Sequence, residues 1–374
     1  VERTYLDAGG RAPVHPAARE AYLAALDEGW ADPGRLHAEG RRARLLLDAA
    51  RESLAEALGA RPQEVHLTPS HTASLHLAVT GAARARRRTG RRVVTSAIER
   101  GALLAAARAV DDEATTVPVD RSGRVDLEAW RAAVTPDVAV AALQHANGEV
   151  GTVQPIAEAH EAARRAGVPL LVDAGASIGH APVEPAWDLL AADPPDWGAP
   201  AGVGVLAVRT RVRMSHGGPE DEDPWAPGGV SVPAALAAAA ALRAVLADAR
   251  EPDPRRALVD QIRQRVLDQV PDVDVAGDPA HRLPHVLTFS CLYVDGEALV
   301  TELDRRGFAV GSGSACTSSS LQPSHVLAAM GLLTQGNVRI ALPREVDAGA
   351  VARFCDELPA AVAGVRAMVE ATGR

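Results

Sequence analysis

The stretch Val65-His66-Leu67-Thr68-Pro69-Ser70-His71-Thr72-Ala73-Ser74-Leu75-His76-Leu77-Ala78-Val79 sets the reading of the fold. A short β-rich run, Val65–Thr68, passes through a polar turn into a helical pattern near Ala73–Ala83. The same order repeats. Val93-Val94-Thr95-Ser96 precedes a helix around Leu103–Val110. Val138–Leu143, Pro169–Asp173 and Gly202–Val208 are further apolar runs, with a helical pattern over Ile156–Ala166 between two of them. Alternation of this kind predicts an α/β fold whose sheet is mainly parallel and covered by helices on both faces. Ligands of such sheets sit at the carboxyl ends of the strands, so the residues just after each run carry the most information.

Beyond an acidic, proline-flanked stretch at Pro219–Pro227, which reads as an exposed loop, a helix is expected over Pro233–Arg250. It is apolar on nearly every side at Ala234–Leu242 and is therefore buried or at an interface. A helix near Arg255–Val270, a strand at Val286–Cys291, a helix near Gly296–Arg306, a strand at Val338–Ala341 and a terminal helix follow. The expected organisation is a large domain over residues 15–250, with residues 1–14 and 251–374 forming a smaller α+β domain.

The 374 residues contain no lysine, so all 39 of the Lys+Arg count are arginine. The excess of Ala, Arg and Gly is what a GC-rich genome would impose, and composition alone explains the loss of surface lysines. Hydrophobic residues make up 47% and aromatics 3%, which predicts a core of Ala, Val and Leu. The net charge of −9 leaves no electrostatic footprint for nucleic acid. The basic cluster Arg84, Arg86, Arg87, Arg88, Arg91 and Arg92 is local and reads as a solvated helix end. No apolar run approaches the ~20 residues that span a bilayer, and no signal peptide opens the sequence, so no membrane association is expected. Cys291, Cys316 and Cys355 have neither metal-ligand nor disulfide-framework spacing. A reduced, cytoplasmic protein without a metal site is the expectation.

Several segments, in order and at the right spacing, resemble the cysteine desulfurase branch (NifS/IscS/SufS type) of the class V aminotransferases, a fold-type I family that holds pyridoxal phosphate (PLP). Tyr5–Val14 resembles the family's opening YLDNAATTPV, and Leu67–His76 resembles its phosphate turn. His145–Gly151 looks like H-x-N-N-E-x-G, and Leu171–Ser177 is similar to x-V-D-A-x-Q-S. Gly311-Ser312-Gly313-Ser314-Ala315-Cys316 reproduces the desulfurase cysteine loop almost letter for letter. The likeness spans essentially the whole chain and implies a fold-type I large domain, a smaller domain and a homodimer.

The resemblance also implies roles. Asp173 matches the carboxylate that pairs with the pyridinium nitrogen. Thr72 and Ser74 stand in the phosphate turn, where helix N-terminal amides and hydroxyls hold an anion, although ordinary N-capping uses the same residues. Asn147 matches the asparagine that contacts cofactor or substrate, and Arg339 the arginine that forks onto the substrate's α-carboxylate. Cys316 matches the cysteine that attacks the substrate sulfur and carries a persulfide. His71 and His76 flank the phosphate turn, and packing is their expected role.

The departures from the pattern weigh more. Aligning the glycines of Gly202-Val203-Gly204 with the family's G-x-G places Asp196 where the Schiff-base lysine belongs, with Asp193 and Pro195 replacing the serine and histidine before it. Arginine cannot stand in for that lysine, because its guanidinium stays protonated and is a poor amine nucleophile. Arg100 replaces the stacking histidine, although a guanidinium also lies flat on a ring. Ala176 replaces a glutamine, and Pro227–Val230 the partner-subunit segment R-S-G-T. Two carboxylates beside a bound phosphate would cost about 1–4 kcal/mol each. Each lost charged hydrogen bond removes a further ~1.5–3 kcal/mol. Micromolar affinity corresponds to only ~8 kcal/mol.

The expectation is a cysteine desulfurase-like protein with a degenerate PLP site and no cofactor, in which Cys316 accepts and passes on sulfur to an acceptor protein or serves a non-catalytic partner. Two alternatives stay open. One is an enzyme with altered, PLP-independent chemistry on an amino-acid-like ligand, a lyase, isomerase or hydrolase with Asp196 as general base and Arg339 as carboxylate anchor. The other is a pseudo-subunit pairing with a competent homologue.

Overall fold

The computed structural model describes residues 3–249, 251–312 and 323–372. β1 (Thr4–Tyr5) is followed by α1 (Pro16–Glu28) and α2 (Ala38–Ala57). The alternation then sets in: β2 (Val65–Thr68), α3 (His71–Arg86), β3 (Arg92–Ser96), α4 (Gly101–Val110), β4 (Thr115–Val117), α5 (Leu127–Ala133), β5 (Val138–Gln144), α6 (Ile156–Ala166), β6 (Leu170–Asp173), β7 (Leu189–Ala192) and β8 (Gly204–Val208). Then come α7 (Val232–Ala247), α8 (Arg255–Gln269), β9 (Val273–Val275), β10 (Val286–Cys291), α9 (Gly296–Arg305), β11 (Phe308–Ala309), α10 (His325–Ala329), β12 (Asn337–Ala341) and α11 (Ala348–Thr372).

β2 to β8 form one seven-stranded sheet in the order β2-β8-β7-β6-β5-β3-β4. β8 runs antiparallel to both its neighbours, and the remaining pairs are parallel. Every residue of β5, β6 and β7 is buried, as strands covered by helices on both faces must be. Local signals place the helices. The Ser70 hydroxyl accepts the Ala73 amide at 3.1 Å and starts α3, while Gly167, at φ 67°, ends α6 in the left-handed conformation that suits glycine. α7 is capped by Ser231 and buries nearly all its circumference. Its alanines leave room for close packing against α1 and α2.

The carboxyl-terminal region builds a second core. β10 lies between β9 and β12 in an antiparallel sheet. Phe289, Phe308 and Phe354 pack there with the helices, Phe308 and Phe354 edge to face at 5.4 Å. Leu6 joins this core because β1 pairs in parallel with β11. Cys291 and Cys355 are buried within it. No helix among the described residues is long and apolar enough to cross a membrane.

Candidate functional site

The carboxyl ends of β2, β3, β5, β6 and β7 bring together the residues that follow them. Asp173, the last residue of β6, is 4% exposed. Its Oδ1 accepts the Gly175 amide at 2.9 Å and lies 2.9 Å from Nε2 of His71, the first residue of α3. His71 is equally buried. Neither ring nitrogen of His71 has a well-aligned hydrogen bond among the described residues. Arg100 approaches the other oxygen, its Nε 3.6 Å from Oδ2, and its Nη1 lies 3.8 Å from Asp193. Burial alone would raise the Asp173 pKa. The neighbouring imidazole and guanidinium outweigh it and hold the carboxyl far below the usual range. Asp193 lacks so close a partner, and burial pushes it up.

Two groups buried near Asp173 are neutral. Glu99 is fully buried, and desolvation lifts its carboxyl to about 8, so it keeps its proton at neutral pH. Its Oε1 accepts the Ser96 hydroxyl at 2.5 Å and the Gln144 amide at 3.1 Å. Burial lowers His145 to about 4 and keeps it uncharged. Asn147 is spent internally. Its Nδ2 donates to the Ile98 carbonyl at 3.0 Å, and its Oδ1 accepts the Glu149 and Val150 amides at 2.8 and 2.9 Å. In the phosphate turn Thr72 is exposed, whereas the Ser74 hydroxyl is buried against that of Thr68 at 2.8 Å.

Asp196 faces other partners. It sits in the 3-10 turn Pro194–Trp197 and is 1% exposed. Oδ1 accepts the Gly10 amide at 2.6 Å, and Oδ2 lies 3.2 Å from Nε2 of His180. The far nitrogen of His180 is 3.2 Å from Arg255, and its ring stacks on His285 at 3.9 Å. Beside this pair, a cavity of about 1210 Å³ is lined by His180, Trp197, Arg255, Arg344 and the segment Ala12–Pro16. Asp173, His71 and Arg100 do not line it. Arg339, on β12, donates from Nη2 to Asp7 at 2.8 Å. Cys316 lies outside the described residues. No group of three or more metal-ligating side chains occurs among those described.

A family model described as Aminotransferase class-V matches residues 4–354. The cysteine desulfurase IscS of Dictyoglomus turgidum is 34% identical, over 90% of this chain and 89% of its own. The IscS-like cysteine desulfurase of Mycobacterium tuberculosis is 36% identical over 97% of both chains. Among solved structures, a NifS-like protein superposes with a TM-score of 0.88 at 25% identity, covering 96% of this chain and 99% of its own. DndA from Streptomyces lividans gives 0.75 at 29% identity, covering 90% and 99%. The chain therefore belongs to the class V aminotransferase family and, within it, to the cysteine desulfurases of IscS/NifS type. Its fold is the fold-type I α/β fold expected from the sequence, with a seven-stranded mixed sheet and a smaller antiparallel one.

The structure brings Asp173 and Arg100 together, buries Asn147 and Ser74 among other partners, and gives Asp196 and Arg339 partners from the amino-terminal segment. Reading the sequence missed those partners. His71 on Asp173, Gly10 and His180 on Asp196, and Asp7 on Arg339 are all distant in sequence and leave no local signature.

Proposed function

We propose that this member of the cysteine desulfurase family works without PLP, as a cytoplasmic homodimer that accepts and delivers sulfur through Cys316. The observation that carries this reading is a chain with no lysine whose Asp173 is already engaged by His71 and Arg100. A pyridinium ring would have to displace the imidazole to reach the carboxylate. Asn147 has both ends of its amide committed, and Asp193 and Asp196 add carboxylates where the resemblance expects phosphate and imine partners. The residues present do not fit the cofactor.

The sulfur then comes from a persulfide donor, on a protein or a small thiol. The Cys316 thiolate attacks the donor's terminal sulfur, and the donor's S–S bond breaks as a new S–S bond forms at Cys316. The donor leaves as a thiolate, with no net oxidation. Incubation with PLP and L-cysteine is expected to give no visible absorbance band and no alanine. A glutathione persulfide donor is expected to add one sulfur to the native chain and none to Cys316→Ser. Alanine and sulfide released from free L-cysteine would end this reading.

The cavity beside Asp196 and His180 favours a second reading, an amino-acid-like ligand held between Arg344 and the acidic groups of its rim, Asp253 and Glu345. A thermal-shift screen of small carboxylates and amino acids against native protein and Asp196→Ala separates the two.

A further inference from the structure

We propose that His71 fills, with its own ring, the seat a heterocyclic cation would take on Asp173. Removing the ring would then leave a site for a small N-heterocyclic cation such as pyridinium or imidazolium. This rests on the reading that no pyridoxal ring occupies the cleft.

The ring is placed by the backbone around it. His71 opens α3 directly after the capping Ser70, and β8 presses on that turn at Gly204. A Cβ at residue 204 would stand 2.3 Å from the Ser70 carbonyl carbon and 2.6 Å from the His71 nitrogen. Only glycine allows so close an approach, so the start of α3 has little freedom to carry the ring elsewhere. On the other side, a Cβ at Gly175 would lie 2.7 Å from Nε2 and 3.0 Å from Cε1 of His71. The imidazole thus rests on the bare backbone of Gly175, the residue whose own amide holds Asp173.

The chemistry of the seat is one-sided. Nε2 stands 2.9 Å from the carboxylate without a well-aligned hydrogen bond, and Nδ1, turned away from it, is buried with no hydrogen-bond partner among the described residues. An imidazole used at a single nitrogen behaves like a pyridine, which has only one. Asp173 cannot reach water to replace a lost partner, and Arg100, at 3.6 Å and partly exposed, covers only its second oxygen. A buried carboxylate of this kind needs a cation. The vacated volume suits a five- or six-membered aromatic ring bearing one N–H.

The test uses the full chain carrying His71→Gly, melted in mildly acidic buffer with increasing pyridine or imidazole, both then protonated, and with benzyl alcohol as the uncharged ring. A saturable rise in melting temperature with both heterocycles is expected, recovering most of what the substitution removed, with pyridine at least as effective. Benzyl alcohol is expected to do little, and native protein is not expected to respond. If His71→Gly does not fold, refolding yield with and without pyridine replaces the melt. Adding Asp173→Asn should abolish the rescue. Rescue that persists without the carboxylate, rescue by benzyl alcohol alone, or no rescue by either heterocycle would overturn the assignment. A visible PLP band on native protein would instead overturn the functional reading, so the two failures are distinguishable.

Discussion

The Asp196 carboxylate faces the His180 imidazole at 3.2 Å, both groups almost wholly buried, while the Gly10 amide holds the other oxygen at 2.6 Å. Where the family resemblance expects a lysine, this chain has a carboxylate tied into its own framework. Asp196 therefore contributes to stability whatever else it does.

Replacing Asp196 with alanine strands the Gly10 amide, whereas His180 keeps Nε2 on the backbone carbonyl of residue 196 at 3.1 Å. Leaving a buried donor without a partner costs about 1–3 kcal/mol. Urea unfolding is expected to show a loss within that range. Asp196→Asn, which can still accept from Gly10, is expected to lose less. Equal losses for the two variants would contradict the role given to the Gly10 contact.

Installing the missing amine is expected to be insufficient. Asp196→Lys incubated with PLP should give no imine band, because His71 still occupies the carboxylate that the pyridinium needs. Asp196→Lys combined with His71→Ala should give one, and borohydride reduction should fix the added mass at residue 196. An imine in the single variant would show that His71 is no obstacle.

Stability should depend on pH through Glu99. The folded chain keeps its proton up to about 8, whereas the ordinary value is 4.5. Its contribution is full below that ordinary value and is lost as pH rises toward 8, by on the order of a few kcal/mol. Glu99→Gln, which preserves the acceptor for Ser96 and Gln144, should flatten this slope and be the more stable protein at pH 8. Asp173 acts in the opposite sense. Its lowered value gives stability above the usual carboxylate range that is lost in strong acid. Urea unfolding across pH measures both.

Gly175→Ala would drive a methyl to within 2.7 Å of the His71 ring. Overpacking of this sort costs about 1–3 kcal/mol. The same change in a His71→Ala background should cost clearly less, giving a non-additive cycle. Strict additivity would mean that the ring does not rest on Gly175.

Local chemistry made much of this structure readable. The β-rich runs from Val65 to Val208 became strands of one sheet, and the all-round apolar pattern of Ala234–Leu242 became a buried helix. Asp173 was placed at a strand end by its neighbours Leu170–Val172. The antiparallel course of β8 was not readable, since a five-residue apolar run has the same appearance in either direction. The helices α1 and α2 carry exposed apolar residues such as Leu23, Leu26 and Leu45, which blur the pattern of a single buried face. At the site, residue types were legible and their partners were not. His71 looked like a packing residue because the carboxylate it meets arrives from β6, three strands along the sheet from β2.

The opening segment also has a mechanical consequence. Asp7 neutralises Arg339 on β12, and Gly10 caps Asp196 beside the main sheet, so three residues of separation join both halves of the molecule. Pulling that segment away would unmask a guanidinium on one side and a carboxylate on the other at the same moment. A fusion or nick near residue 8 should therefore loosen the contacts between the two cores before it melts either.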